Sequence, residues 1–374
     1  MRLASVRLRN VGVFDDTTVR IEGRDPAAAA AGEADDEAAV IAPRPVTVLF
    51  GADGIGKTTL LTALASTRPG HALPPVPYPT GAVAASRAEA SNGPPLVATE
   101  WLLGDDDPER PHPLIVTNPS AILEAESPDA AVARRREQAL FDRRAQGDGG
   151  FVFVGFSGAR WFSRTPISLS SPERSVLRYD VRQAASFDDP TRADLARETK
   201  QVLAYAGIAR ALAAGRERSE RYERIERFDA ALREVVDVVL EPFGLTYAGV
   251  DPLSLEPRAA DGAGRAMPFD ALPRSARHLV AFGALSLRSL FAAYPRAEDP
   301  RACEGVVAID DVEVQLDPAL LRALVPLLRR ALPNVQWILT TASAQLAMAC
   351  APGEVVALRR SDSSRIEAAE GLLH

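Results

Sequence analysis

The sequence predicts an α/β protein with a mostly parallel core sheet flanked by helices. Three observations predict it. A short apolar run, Pro45 to Phe50, breaks into a glycine-rich loop and then into a helix-forming stretch. The last third of the chain alternates wholly apolar runs with helical ones, as strands buried on both faces do. Residues 2 to 21 instead alternate aliphatic with polar or charged side chains, the period of half-buried strands.

Taken in order, Ala4, Val6 and Leu8 point one way while Ser5, Arg7 and Arg9 point the other; Asn10-Val11-Gly12 is a turn signal, and Thr18 to Ile21 resumes the alternation. Residues 24 to 40 are acidic, alanine-rich and of low complexity, which predicts a solvated hairpin tip or loop. After the glycine loop, Thr58 to Ser66 has helix composition. Leu96–Thr99 with Trp101–Leu103, and Leu114–Thr117, read as antiparallel strands, and the acidic segment Gly104–Pro108 between them as a solvated turn. A helix is expected over 128–145, with Arg134, Arg135, Arg136, Arg143 and Arg144 on a solvated face. Phe151–Phe156 reads as a buried strand. Residues 192–241 read as the longest helical stretch, with Ile225, Phe228, Leu232, Val235 or Val236, and Val239 on its apolar side. Glu217, Glu220 and Glu223 stand four residues before Arg221, Arg224 and Arg227, the orientation of self-paired exposed charges. Gly305–Ile309, Val335–Leu339 and Glu354–Leu358 read as core strands, with a helix over Ala319–Leu332.

Bulk properties set limits. The 374 residues are 47% hydrophobic and 25% charged, a composition of globular domains. No run of about 18 apolar residues occurs, which predicts no transmembrane helix. The first ten residues lack the apolar core of a signal peptide. With only Cys303 and Cys350, no disulfide framework is possible, and two buried thiols in a reducing cytoplasm are the expectation. A net charge of −7 argues against a chain wrapped all round in nucleic acid, while leaving room for a local basic groove.

Two segments carry the chemistry. Gly51, Ala52, Asp53, Gly54, Ile55, Gly56, Lys57 and Thr58, followed by Thr59, fit the phosphate-binding pattern G-x-x-x-x-G-K-[ST] between a strand and a helix. Its glycines let successive N–H groups face phosphate oxygens at the positive end of the helix. Lys57 is the cation expected at the β- and γ-phosphates, and the Thr58 hydroxyl a Mg²⁺ ligand. Such a loop needs a second carboxylate at the end of a neighbouring buried strand. Asp310, directly after Val306-Val307-Ala308-Ile309, supplies it, since a carboxylate there is costly unless it faces a ligand crevice. Asp311 stands where a water-polarising base would sit. ATP and Mg²⁺ are the expected cofactors.

On these residues the chain resembles the ABC-type ATPase heads of the RecF, SMC and OLD-like families. Leu3–Phe14 resembles their N-terminal strand pair and Gly51–Thr58 their Walker A loop, with Asp53 for the usual Asn. Asp310–Pro318 resembles their Walker B and D-loop, and Phe156–Arg160 the strand end before their helical lid. The resemblance implies a P-loop NTPase of ABC type with an antiparallel N-terminal β-subdomain and a helical lid insertion. The whole chain is then one ATPase domain: a nucleotide-binding core lobe over 1–70 and 305–374, a β-rich insertion over 71–160, and a lid with a degenerate signature segment over 161–304. It further implies ATP-dependent homodimers, work on DNA in anti-phage defence or repair, a separate effector protein, and a cytoplasmic location without a membrane.

Four departures qualify it. The signature segment Leu272-Pro273-Arg274-Ser275-Ala276 keeps only the leucine, and Pro273 removes a backbone donor. Ser275, Arg274 or Arg277 are left to reach phosphate. The usual catalytic Glu is Asp311, the switch histidine is Ala342, and the D-loop histidine is Asp317; the four histidines, His71, His112, His278 and His374, offer no evident replacement. Slow hydrolysis is expected, with a nucleotide-dependent scaffold as the alternative. A membrane-transporter subunit is disfavoured by the missing signature and the long insertion.

Overall fold

The computed structural model describes residues 1–24, 41–43, 45–68, 95–102, 113–119, 123, 126–148, 150–171, 173–177, 194–214, 219–351, 353–361 and 365–372. The alanine-rich stretch 25–40, the acidic turn 104–108, Glu217, His71, His112 and His374 lie outside them.

Strands β1 (Arg2–Val11) and β2 (Phe14–Arg20) form a hairpin, and β3 (Glu22–Arg24) pairs with β4 (Ile41–Pro43). Strand β5 (Val46–Phe50) leads through the glycine loop into α1 (Lys57–Ser66). Then come β6 (Leu96–Leu102), β7 (Leu114–Asn118), α2 (Pro128–Asp148), β8 (Phe153–Phe156), α3 (Ala196–Ala213) and α4 (Glu220–Leu240). A meander of β9 (Leu245–Val250), β10 (Pro257–Asp261) and β11 (Ala266–Pro268) precedes α5 (Arg274–Ala293). The chain continues through β12 (Gly305–Ile309), α6 (Pro318–Ala331), β13 (Val335–Thr341), α7 (Ala344–Ala349), β14 (Val355–Arg360) and β15 (Ile366–Glu370).

These elements fall into two compact units. The first holds Met1–Phe153 and Gln336–His374. Its antiparallel sheet has the order β2-β1-β6-β7, with Leu3, Val6 and Leu8 wholly buried. In its other sheet β5 lies between β13 and β14 and runs parallel to both, so the run preceding the glycine loop is covered on both sides. Gln336 explains itself here. Its buried carboxamide accepts from Leu3 N at 2.7 Å and donates to Leu3 O at 2.9 Å, where a register shift interrupts the β1–β6 ladder. One polar residue on an apolar strand thus satisfies a backbone that the bulge leaves unpaired. Two expectations are corrected. The sheet does not end at Leu358, because β15 adds antiparallel to β14. Arg134 is no solvated residue: it is 6% exposed, paired with Glu126 at 2.8 Å and bonded to the Thr117 hydroxyl, whereas Arg135 and Arg136 are exposed.

The second unit runs from Val154 to Val335 over its described residues. The long helical stretch is two helices, α4 restarting at Ser219, whose side chain caps Tyr222 N. Ile225, Phe228, Leu232, Val235, Val236 and Val239 are buried as expected. Gly283 of α5 lets α4 approach, since a Cβ there would stand 2.6 Å from Val235. Arg224 departs from the self-paired face: it donates to Phe291 O and lies 4.3 Å over that ring. Strand β12 lies beside β8, and all five of its residues are buried. Residues 305–335 cluster with this unit, and the described residues of 95–153 with the first. No described helix is long and apolar enough to cross a membrane.

Candidate functional site

In the first unit the glycine loop is shaped by close approaches. A Cβ on Gly51 would meet Leu358 O at 2.9 Å, and one on Gly56 would meet Val13 and Phe14 at 2.6 and 2.7 Å. Gly54 and Gly56 have φ of 75° and 97°, a region L side chains rarely adopt. The β1–β2 turn and the edge of β14 therefore brace one side of the loop, while Ala52, Asp53 and Gly54 remain exposed. Ile55, 6% exposed, anchors it inward. The N-terminus of α1 has no side-chain cap and no acid in its first turn. A helix end of that kind presents backbone donors and a positive field, which suit an anion. Lys57 is 5% exposed, with Nζ at 2.9 Å from Gly51 O and 3.2 Å from Ala52 O, and 3.6 Å from the Asp53 carboxylate. A buried ammonium folded over the loop's own carbonyls fits a site for a polyphosphate. Thr58 and Thr59 are half-buried at the start of the helix.

In the second unit Asp310 ends β12 at 3% exposure, its N–H donating to Phe156 O at 2.9 Å. Gly158 backs onto both carboxylates: a Cβ there would lie 3.3 Å from an oxygen of Asp310 and 3.3 Å from one of Asp311. A side chain at 158 would press on both carboxylates. Asp311 and Gln315 have φ of 40° and 73°, so the segment after Asp310 turns through two left-handed residues that are not glycine.

Arg160 holds that segment. Its guanidinium, 1% exposed, donates through Nη1 to Ser157 O (3.0 Å) and Asp310 O (2.7 Å), and through Nη2 to Asp311 O, Val312 O and Val314 O (3.0, 3.0 and 2.8 Å). It stands 5.2 Å from the Phe282 ring. Burial lowers its pKa to about 10, opposed by the charges of Asp310, Asp311 and Glu313, so it stays cationic at neutral pH. The sequence pointed to Arg160 only through the resemblance around Phe156–Arg160. Its spacing from Asp310 carries no local signal.

The signature segment is corrected at Ser275. Rather than reaching outward, its hydroxyl is 7% exposed, accepts from Asp317 N at 2.8 Å and lies 3.5 Å from Gln315 O. Pro273 stands just before the first turn of α5, and Arg277 stacks 5.4 Å from Phe162. Asp317, in place of the family histidine, caps α6 through Ala319 N. His278 is 1% exposed, packs edge-on to Phe162 and bonds Arg274 O through Nδ1; burial pushes its pKa down to about 4, which keeps it neutral. Ala342 follows β13 in the first unit. Cys303 is buried but Cys350 only half so, and burial raises the two thiols to about 11 and about 12.

Comparison with known proteins bears on this arrangement. Residues 177–349 match a family model described as "AAA domain, putative AbiEii toxin, Type IV TA system". No curated protein matches the sequence. Among solved structures, the SMC head bound to the C-winged helix domain of ScpA is similar over 99% of this chain and 98% of its own, at 14% identity and a TM-score of 0.51. The SMC head domain from Thermotoga maritima aligns over 100% of both chains at 12% identity, with a TM-score of 0.46. The first likeness shows the fold, and no described helix here exceeds 21 residues. In fold the chain is similar to an SMC head, it carries a glycine loop of the P-loop pattern, and no coiled-coil arm occurs among its described residues.

Proposed function

We propose that this protein binds ATP with Mg²⁺ and uses the bound nucleotide as a switch, hydrolysing it slowly. The observation that carries the reading is the glycine loop: Lys57 Nζ lies over the carbonyls of Gly51 and Ala52 at an uncapped helix N-terminus. Backbone N–H groups of residues 52–59 and the Lys57 ammonium take the phosphates. Thr58 and Asp310 are the protein ligands for the metal, whose charge would offset that of the phosphate oxygens. Asp311 is the base that orients and deprotonates water.

Slow turnover follows from three features. The carboxylate of Asp311 is one methylene shorter than the family's Glu, and a misplacement of about 1 Å can cost about a hundredfold in rate. Ala342 has a methyl group where the resembled families carry an imidazole, and the Ser275 hydroxyl is already bonded within its own chain. That last contact also favours a second reading, a nucleotide-dependent scaffold that binds ATP to recruit a protein without turnover. By resemblance the nucleotide-bound form is a homodimer that acts on DNA in anti-phage defence or repair with a separate effector.

Two measurements test the switch: binding of a fluorescent ATP analogue with Mg²⁺, and phosphate release at saturating ATP. Tight binding with turnover below about 1 s⁻¹ is expected, since ordinary enzymes exceed that. Asp311→Asn keeps the affinity and lowers release to a small residual rate. Absence of binding sinks the proposal, rapid turnover sinks the slow switch, and unchanged release in Asp311→Asn removes that residue as the base.

A further inference from the structure

Arg160 has no part in the phosphate chemistry just described, yet it is one of the most deeply buried large side chains in the protein. Its guanidinium donates to the backbone carbonyls of Ser157, Asp310, Asp311, Val312 and Val314. Within the segment after Asp310, Val314 N bonds Asp311 O and Leu316 N bonds Glu313 O, and nothing in those two bonds holds Asp311 at φ 40°. A non-glycine residue keeps such a backbone only where its surroundings over-determine it. At Asp311 the backbone angle also decides where the side chain leaves the chain, with an oxygen of its carboxylate facing the bare Cα of Gly158.

We infer that Arg160 is a positioning residue for the Asp311 carboxylate: its planar guanidinium clamps the Asp310–Val314 carbonyls and so fixes the left-handed turn that aims the carboxylate. Ser275 performs the same service at the far end of the segment, holding Gln315 O and Asp317 N. A lysine cannot substitute, because a point ammonium lacks the fork that spans several carbonyls at once. Phosphate binding belongs to Gly51–Thr59 and Arg160 meets Asp310 through its backbone carbonyl, so the clamp acts on rate more than on nucleotide affinity. This inference rests on the proposed ATPase reading for its catalytic half, and on geometry alone for its structural half.

The test uses the full chain carrying Arg160→Lys, with Phe282→Leu as a gentler variant that removes the ring beneath the guanidinium. Amide exchange of the nucleotide-free protein, read on peptides covering 310–317, is expected to quicken about tenfold or more at Val314, Leu316 and Asp317 while α4 and α5 stay protected. Unchanged exchange in both variants overturns the clamp. Single-turnover hydrolysis is expected to fall about tenfold or more, with the ATP dissociation constant moved by less than about threefold. In an Asp311→Asn background Arg160→Lys should cost nothing further. An equal loss in both backgrounds, or a parallel loss of affinity, overturns the link to Asp311. A wild-type protein that binds ATP without hydrolysing it defeats the hydrolytic reading instead, and the exchange result then decides the clamp by itself.

Discussion

Gly51–Thr59 and Asp310–Asp317 are both loops that leave a buried strand, turn through left-handed residues and enter a helix, but they hold that shape by opposite means. In the first loop Gly54 and Gly56 take positive φ at no steric cost. The strand ends around the loop brace it by close packing, and Ala52, Asp53 and Gly54 stay exposed. In the second, Asp311 and Gln315 take positive φ against their preference, held from outside by Arg160 and Ser275. Its carbonyls and one of its N–H groups are spent on that support. The first loop is thus a site that a ligand completes, and the second is one that the protein completes in advance. Changes in the first should therefore appear in binding, and changes in the second in rate or stability.

The largest expected effect lies in the first loop. Lys57→Ala removes the buried ammonium that donates to the Gly51 and Ala52 carbonyls. A charge-assisted contact to phosphate of about 3 kcal/mol corresponds to about a hundredfold in dissociation constant. The rise in melting temperature that saturating ATP and Mg²⁺ give the wild type should vanish. Retained stabilisation would mean that the nucleotide is held elsewhere.

Next in size is a stability effect confined to the second unit. His278 has its pKa lowered to about 4 by burial, with further depression from Arg160, Arg277 and Arg274, against an ordinary 6.5. The unfolded chain takes up the proton first as pH falls, so stability is full above about 6.5 and is lost between there and about 4. The linked loss is on the order of 3 kcal/mol. His278→Leu should flatten that part of the stability curve, measured by urea unfolding at stepped pH. A wild-type curve already flat between those values would remove the buried neutral imidazole as the cause.

How much of this was legible in the sequence follows the same division. The glycine loop could be read outright because its geometry is written in residue types, and glycine at 54 and 56 is itself the signal. The core strands were legible because burial on both faces imposes apolar runs, unbroken at 305–309 and interrupted by Gln336 alone at 335–339. The buried place of Asp310 at the end of β12 was legible because a carboxylate closing such a run sits at the end of a core strand. Features built on distant partners were not. Arg134 reads like its neighbours Arg135 and Arg136, and only Glu126 and Thr117, met in space, bury it. Gln336 looks like an interruption until Leu3 supplies its two bonds, and Ser275 looks like a remnant until Gln315 and Asp317 engage it. β15 was missed because Ile366–Glu370 alternates weakly and gains its strand from pairing with β14.

The smallest expected effect returns to the first loop and bears most directly on the contrast. Asp53 is 96% exposed and stands 3.6 Å from Lys57 Nζ, where the family pattern has Asn. A solvated pair of this kind adds almost nothing to stability. In a loop built to receive phosphates its carboxylate is a like charge, weakened by water and salt. Asp53→Asn should therefore tighten ATP binding by about two- to fivefold at low ionic strength. The gain should shrink as salt screens the exposed charge. Calorimetric titration of both proteins at low and high salt measures it, with melting temperature unchanged. A weaker variant would mean that Asp53 takes part in holding the nucleotide, for instance through its pairing with Lys57. In that case the first loop, like the second, would depend on a side chain as well as on its glycines.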